Sequence, residues 1–347
     1  MQTLPRLCVL DPAPLFEGQT ATHALNDTVT VARACEDMGY HSYWVQEHHN
    51  TPSFASVAPE ILIAHIASAT QWIKVGAGGV MLPNYSPLKV AEQFTTLSAL
   101  YPGRIELGIG RATGADPRTS AALLGPGAKT FPVMTRLLMD WLLDAAGEVA
   151  IPDNHRAGGI HARPSAQRPD LWILASSPQS AAVAGAMGLP MAFADFLAPG
   201  GARAAADAYR SAFSPSAFAT APRLALALVA LAAETEARAH ELARPATAWN
   251  AVRAAGKFIP FPSQQVAENI LSRMPQDTID AAESRSITGT GEIVAQTVLE
   301  KADACGADSV YILTIAQPVE ARIQSYKAIS DAYYNDGRAT NPQAARL

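Results

Sequence analysis

The chain has 347 residues, of which 49% are hydrophobic and 16% charged, and its formal net charge is -5. Such a chain can bury a large core, either as one big α/β domain or as two domains of average size. The net negative charge and the lack of Lys/Arg runs argue against nucleic acid or an anionic membrane as the main partner. We therefore expect a small-molecule ligand.

The three cysteines, Cys8, Cys35 and Cys305, are widely spaced and form no CxxC pair. This usage suits a reducing cytoplasm and predicts small buried thiols in place of disulfides or metal ligands. The N-terminal sequence MQTLPR lacks the basic start and apolar block of a secretory signal. The longest apolar run, at 224–233, is shorter than the roughly 20 residues of a membrane span. We expect a cytoplasmic protein with no membrane partner.

Short β-type runs recur along the chain, and the early ones alternate with segments of helical spacing. The candidate strands span 7–10, 42–46, 73–80, 105–109, 171–174, 191–194, 224–231 and 309–313, and the helical patterns between the first four span 27–38, 58–69 and 86–100. This alternation implies right-handed βαβ crossovers and a parallel sheet. Eight units predict a (β/α)8 TIM barrel, with a doubly wound sheet as the competing architecture.

Two long gaps in this pattern predict insertions after strands 4 and 7, roughly at 112–170 and 233–290, over the catalytic face of the barrel. The first is rich in Pro and Gly and includes Gly125-Pro126-Gly127. The second holds Trp249, Phe258, Ile259 and Phe261, so that an apolar lid and an ordinary long loop are both open readings. No linker separates the segments, which favours a single domain.

Glu47, His48 and His49 follow the second candidate strand, at the end of a barrel strand where such enzymes carry their chemistry. Neighbouring strand residues point to opposite sides, so the two histidines do not easily bind one metal ion. The remaining histidines have no HxH or HExxH spacing, and we expect no metal site. A structural histidine bonded to a carbonyl oxygen is the alternative to an acid/base role.

The third candidate strand contains Gly76, Gly78 and Gly79, although glycine weakens a strand. Close approach of the backbone to a flat ligand explains this run, and so does a β-bulge that only shapes the barrel. The fourth strand leads into a GxGxxxG sequence at 108–114, which misses the GxGxxG dinucleotide pattern. We reject a Rossmann reading and keep Arg111 as a candidate partner for an anion.

A strong helix start follows the fifth candidate strand. Ser177 is the expected N-cap and Pro178 the first helical residue. Capping explains this pattern, but free N–H groups flanked by the Ser177 and Ser180 hydroxyls also suit a phosphate.

Together these segments resemble the bacterial luciferase-like flavin-dependent oxidoreductases. The motifs are YWVQEHHN at 43–50, VGAGGVMLP at 75–83, AEQFTTLSALYPGRIELGIGRATGADP at 91–117, LWILASSPQSAAVAGAMGLP at 171–190 and, more weakly, TGTGEIVAQTVLEKADACGADSVYI at 288–312. The resemblance implies one TIM-barrel domain over 1–347 that binds FMN, as FMNH2, at its C-terminal face.

The resemblance also implies roles for individual residues. Ser177 and Ser180 match positions that hold the FMN phosphate, with Arg111 as the cationic partner. The segment of Ala77, Gly78 and Gly79 matches one packed against the isoalloxazine ring, where a non-prolyl cis peptide often occurs. Gly110 and Ser176, further candidate cofactor contacts, stand where luciferase α-chains carry a reactive Cys and a Glu, so light emission is not inferred.

His48 matches the acid/base histidine of luciferase, and Glu47 and His49 match its neighbours. The resemblance implies that FMNH2 and O2 form a C4a-hydroperoxide that oxygenates a small organic, apolar or aromatic, substrate. A histidine with a pKa near neutrality either removes the peroxide proton for nucleophilic attack or leaves it for hydroxylation.

Two other functions stay open, a deazaflavin-dependent dehydrogenase on the same fold and a non-catalytic flavin-binding subunit. No second nucleotide motif is present, so FMNH2 is expected from a separate NAD(P)H:flavin reductase. The resemblance further implies a homodimer formed through outer helices of the first half of the barrel.

Overall fold

The computed structural model describes residues 4–123 and 130–335, so the Gly125-Pro126-Gly127 sequence of the first insertion lies outside the described residues. The strands in the described part are β1 (Arg6–Asp11), β2 (Ser42–Val45), β3 (Lys74–Met81), β4 (Ile105–Gly110), β5 (Asp170–Ala175), β6 (Met191–Ala194), β7 (Leu224–Ala232), β8 (Ile287–Gly289) and β9 (Ser309–Leu313).

The helices of the same ranges are α1 (Ala21–Asp37), α2 (Pro59–Ala69), α3 (Pro87–Leu100), α4 (Pro117–Leu123), α5 (Phe131–Ala145), α6 (Pro178–Ala186), α7 (Ala202–Ala212), α8 (Glu236–Ala254), α9 (Gln264–Leu271), α10 (Gln276–Glu283), α11 (Gly291–Cys305) and α12 (Val319–Asn335).

Eight of the strands close into a parallel barrel. Strands β1 to β6 pair in chain order, β6 pairs with β7, β7 with β9, and β9 with β1. The short β8 adds to the carboxyl end of β7, with Ile287 opposite Ala230. Because the ring of pairings is complete, the predicted (β/α)8 barrel is confirmed and the doubly wound sheet is excluded.

The first helix differs from its prediction at one end. It was expected from residue 27 and begins at Ala21, where Thr20 is the N-cap and its side chain accepts a hydrogen bond from the His23 amide. The first buried residue of this helix is Ala24, so its apolar periodicity begins three residues after the helix itself. The cap was therefore the better signal for the start of this helix.

The two long insertions follow β4 and β7 as predicted, but they are not only loops. Within the first, α5 buries Leu138, Leu142 and other apolar side chains in the main core and is an outer helix of the barrel. The second contains α8, α9 and α10, of which α8 lies over the carboxyl end of the barrel. In the described part of the chain, no helix is both long and apolar enough to cross a membrane.

The interior of the barrel is filled below its carboxyl end by large aromatic rings. Trp44 lies 4.1 Å from Tyr311 and 5.8 Å from Trp172, measured between ring centroids. The Trp44 indole N–H donates to the buried Glu106 carboxylate at 2.7 Å. All three cysteines are buried and unpaired, as predicted. These aromatic residues form a solid floor beneath the open end of the barrel.

Candidate active site

A cavity of about 380 Å³ opens at the end of the barrel where the strands have their carboxyl ends. The barrel strands contribute through their last residues or the loops that follow, with Pro12, Gln46, Gly78, Gly110, Leu174, Ala194, Val229 and Leu313. One face of α8, together with Phe261 and Arg285, covers the cavity from the second insertion. Enzymes with this fold carry their chemistry at this end.

His48 follows β2 and lines this cavity. Its ring stacks on Phe54 with 4.7 Å between the ring centroids, and its Nε2 lies 3.3 Å from Oε1 of Gln46. Gln46 is thus the polar partner of the ring, and an uncharged imidazole has one protonated nitrogen and one with a free lone pair. The geometry thus leaves one basic nitrogen on the ring.

Burial lowers the pKa of His48 to about 4, and the positive charges of His49 and Arg253 act in the same direction. The near-neutral pKa expected from the sequence is therefore wrong, because apolar surroundings disfavour the imidazolium form. At neutral pH the ring is uncharged and is able to accept a proton.

Glu47 and His49 belong to a buried network and are not among the described residues that line the cavity. The Glu47 carboxylate is fully buried and accepts hydrogen bonds from His49 Nε2 at 2.7 Å, the Met81 amide at 2.9 Å and the Tyr85 hydroxyl at 3.0 Å. This network ties the chain after β2 to the end of β3 and the segment that follows it. Of the three adjacent residues, His48 therefore lines the cavity, whereas Glu47 and His49 belong to the network that supports it.

The glycines of β3 are required by the packing of the barrel interior. A Cβ on Gly76 would lie 2.8 Å from Trp44 Nε1, and a Cβ on Gly78 would lie 2.8 Å from Trp44 Cε3. A Cβ on Gly79 would lie 2.6 Å from the Gly108 carbonyl oxygen. The register with β4 shifts between Gly78 and Val80, so the bulge expected as one alternative is present.

The cis peptide that the resemblance implied between Gly78 and Gly79 is confirmed. Gly78 also lines the cavity, whereas Ala77 and Gly79 are not part of its described lining. Only one residue of the predicted flavin-contact segment therefore faces the open space directly. Gly110, at the end of β4, is a second glycine on this surface.

Ser176 and Ser180, at the beginning of α6, line the cavity, and so does Arg111, which follows β4. Ser177 is the N-cap and Pro178 the first helical residue, as predicted, and Ser177 and Ser180 form a reciprocal capping box. Ser177 is not part of the described cavity lining. The Ser176 hydroxyl and the Arg111 guanidinium form no hydrogen bond or ion pair within residues 4–123 and 130–335. They are the two side chains here that are free to bind an anion.

An aromatic wall, which we define as Phe54, Trp249 and Phe261, closes another side. The Trp249 and Phe261 ring centroids are 4.8 Å apart, and Phe54 lies 5.7 Å from each of them. The Trp249 indole N–H donates to the Ser53 hydroxyl at 2.9 Å and is thereby held in place. Phe258 was expected in this roof but is 64% exposed and outside the described lining, so that expectation is wrong.

Three residues on α8, Ala246, Asn250 and Arg253, were missed by the motif analysis, although together with Trp249 they carry a signal. Ala246, Trp249, Asn250 and Arg253 all line the cavity, and their spacing of three, one and three places them on one helical face. Arg285, which stands before β8, also lines it and has no comparable signal in the sequence. The cavity therefore contains cationic residues that motif spacing did not indicate.

Metal ligation has no support in the described part of the chain. Within 4–123 and 130–335 no group of three or more His, Cys, Asp or Glu side chains is placed to hold a metal ion. His49 is paired with Glu47, and His48 contacts an amide and an aromatic ring. The described lining of the cavity also contains no Asp or Glu.

The chain is similar in sequence to proteins of a known enzyme family. The family model for luciferase-like monooxygenases matches residues 6–309. The N-acetyl-S-alkylcysteine monooxygenase of Bacillus subtilis is 35% identical over 94% of this chain and 98% of its own length. A luciferase-like monooxygenase of Escherichia coli (strain K12) is 44% identical over 60% of this chain and 61% of its own length.

Solved structures share the fold. The crystal structure of apo-MsnO8 superposes with a TM-score of 0.84 at 35% identity, over 95% of this chain and 98% of that one. An F420-dependent secondary alcohol dehydrogenase superposes with a TM-score of 0.62 at 17% identity, over 95% and 99% of the two chains. At this lower identity the likeness shows the fold alone and does not identify the cofactor.

Proposed function

Because the chain belongs to the luciferase-like monooxygenase family, we propose that it is a monooxygenase that uses reduced FMN and O2 to oxygenate a small organic molecule. The composition of the cavity lining carries this proposal. The cavity has free anion-binding groups at the start of α6, a glycine surface on β3 and β4, and an uncharged histidine at the end of β2.

These residues fit FMN in charge and shape. The Ser176 hydroxyl, the Arg111 guanidinium and the amides at the start of α6 suit its phosphate, since helix N-termini and arginine favour phosphate oxygens. Gly78 and Gly110 present no side chain toward the space for a flat ring. Bound reduced FMN supplies the electrons by which O2 gives one oxygen atom to the substrate and the other to water.

Proton handling falls to His48. With Nε2 directed to Gln46, Nδ1 accepts a proton from a group that loses it during the reaction. Because the ring is uncharged at neutral pH, we propose that His48 is the base. Glu47 and His49 are proposed as positioning residues, since their network fixes the chain on both sides of His48 without entering the described lining.

The substrate is proposed to be a small molecule with an apolar or aromatic part. The aromatic wall offers apolar surface next to His48 and keeps water away from the reacting atoms. The Bacillus subtilis relative is named for an N-acetyl-S-alkylcysteine, so thioethers are the first class to test.

Reduced FMN is proposed to come from a separate NAD(P)H:flavin reductase. The GxGxxxG sequence at 108–114 does not supply a dinucleotide site, because Gly108 and Gly110 are part of the barrel strand β4. The cysteines are buried and unpaired, which supports a reducing compartment such as the cytoplasm.

The test of this function is the origin of the oxygen atom in the product. We expect that the protein, a flavin reductase, NADH, FMN and ¹⁸O₂ convert at least one member of a panel of thioethers, ketones and aldehydes to a product with one ¹⁸O atom. Mass spectrometry measures the incorporation, and the matched control omits FMN. Substrate oxidation with no ¹⁸O in the product, or equal rates without FMN, would contradict the proposal.

A further inference from the structure

The charge that lines the cavity is opposite in sign to that of the chain. The formal net charge of the chain is -5, yet the described lining contains Arg111, Arg253 and Arg285 and no carboxylate. Positive charge is thus concentrated where a small molecule binds. Such a lining attracts anions. The proposed function assigns Arg111 to the FMN phosphate, which leaves two arginines without an assigned ligand.

Arg253 and Arg285 are a pair that both come from the second insertion. Arg253 is on α8, and Arg285 stands between α10 and β8. Both residues line the same cavity, and the charge of Arg285 adds to burial in lowering the pKa of Arg253. Neither forms a hydrogen bond or an ion pair with any residue in the described ranges. Two cations in one cavity whose described lining has no acid suit an anionic ligand that contacts both.

The position of the pair relative to His48 indicates what that anion belongs to. The Arg253 guanidinium lies over the Trp249 ring at 5.2 Å, Trp249 is 5.7 Å from Phe54, and Phe54 stacks on His48 at 4.7 Å. The charge of Arg253 also acts on His48. The order along this surface is therefore a cation, apolar rings and then the base.

We propose that Arg253 and Arg285 form an anion subsite for the substrate, which selects small molecules with an apolar body and a carboxylate or sulfonate at one end. The anionic end binds the two arginines, the body lies along the aromatic wall, and the reacting atom reaches His48. This assignment of substrate class depends on the proposed oxygenase function, whereas anion binding itself is measurable without turnover.

The experiment compares two probes with the same alkyl chain, octanoate, which is an anion, and octanamide, which is uncharged. Their dissociation constants are measured by calorimetry and by quenching of tryptophan fluorescence, with and without oxidised FMN. Since a hydrogen bond to a charged group contributes about 1.5–3 kcal/mol, octanoate should bind roughly tenfold or more tightly than octanamide. Equal binding of the two probes to the wild-type protein would overturn the proposal.

Variants locate the site. Arg253→Gln and Arg285→Gln should each weaken octanoate binding about tenfold and leave octanamide binding unchanged. Arg273→Gln is the matched control, because Arg273 is an exposed arginine of the same insertion outside the described lining, and it should bind both probes like the wild type. Loss of octanoate binding in the control, or its retention in both test variants, contradicts the assignment.

The phosphate of FMN is the other source of an anion at this site, and a second arm separates it. Arg253→Gln and Arg285→Gln should keep the wild-type affinity for FMN and for riboflavin, whereas Arg111→Gln should lose affinity for FMN alone. If the first two variants lose FMN affinity and keep riboflavin affinity, the pair holds the flavin phosphate and the proposal is wrong. None of these binding measurements requires oxygenation. Failure of the anion-subsite proposal is therefore distinguishable from failure of the ¹⁸O test.

Discussion

At the scale of single residues, the adjacent His48 and His49 differ in the contacts that their rings make. The His49 ring contacts the buried Glu47 carboxylate, 2.7 Å away. The His48 ring faces the cavity against Phe54, with Gln46 as its polar contact. A charge partner holds one ring in the scaffold, and apolar contacts keep the other uncharged.

Replacing the proposed base should reduce turnover without removing the cofactor. In His48→Gln we expect turnover to fall about 10²-fold or more, because general base catalysis contributes on that order. FMN affinity should stay near the wild-type value, since His48 is not among the proposed phosphate ligands. Steady-state oxygen consumption coupled to product formation measures the first quantity and fluorescence titration the second.

The matched control for this variant is His65→Gln, which changes an exposed histidine on α2. It should turn over like the wild type. An unchanged rate in His48→Gln would remove the base from the mechanism.

Two partly buried histidines should make stability depend on pH. Burial lowers the pKa of His48 and of His41 to about 4, and the charges of Arg6 and Lys74 act further on His41. Their unfolded pKa is about 6.5, so the unfolded chain binds more protons between pH 4 and 6.5. Stability should therefore fall as pH drops through this window, by at most about 3 kcal/mol for each histidine.

Urea unfolding at pH 7 and pH 5 measures this dependence, and His48→Gln should lose less stability than the wild type between the two values. Equal losses in the two proteins would show that His48 is not held in its uncharged form by the fold.

At the scale of elements, α6 shows how one sequence carries two roles on adjacent residues. Ser177 and Ser180 use their hydroxyls to cap the helix, whereas the exposed Ser176 hydroxyl is free in the described part of the chain. The sequence predicted the cap correctly because the pattern Ser-Pro is local. The sequence did not show that the Ser176 hydroxyl is free whereas the Ser177 hydroxyl is used for capping, since this difference depends on the geometry of the turn.

Two substitutions separate these roles. Ser177→Ala should lower the free energy of unfolding by about 1 kcal/mol, since it removes an N-cap side chain. Ser176→Ala should leave stability unchanged and weaken FMN binding about tenfold without affecting riboflavin, because one hydrogen bond to a charged group is lost. Urea unfolding and fluorescence titration of the two flavins measure these effects. If Ser176→Ala binds FMN like the wild type, its hydroxyl is not a phosphate ligand.

Much of the fold follows from local patterns, and the remainder depends on contacts between distant segments. The barrel was predictable because each of its strands is a short apolar run at a recognisable spacing. The reason for Gly76 and Gly78 was not, since it depends on Trp44 of the neighbouring strand. The pKa of His48 likewise depends on Phe54 and on α8, which no motif near His48 identifies.

At the scale of the whole molecule, two exposed apolar side chains lie on the helices where the resemblance implies a homodimer interface. Ile61 on α2 and Leu100 at the end of α3 are 69% and 62% exposed, and both lie on the first half of the barrel. The resemblance and their location on the predicted helices together motivate a direct test.

Ile61→Glu should weaken the dimer, because it places a charge in an apolar interface. We expect the wild type to sediment as a dimer at micromolar concentration and the variant to shift toward monomer. Ile293→Glu on α11 is the control, since Ile293 is also exposed but belongs to the second half of the barrel. A wild-type monomer, or no shift in Ile61→Glu, would contradict the proposed interface.

We propose that the cavity at the carboxyl end of the barrel binds reduced FMN for reaction with O2. The most direct measurement is an anaerobic titration with reduced FMN and with reduced F420, followed by mixing with O2 while the absorbance of the cofactor is recorded. We predict saturable binding of reduced FMN, weakened in Arg111→Gln, and reoxidation kinetics that differ from those of free reduced FMN. If the protein binds reduced F420 tightly, does not bind reduced FMN and leaves its reoxidation as in free solution, FMN is not the cofactor.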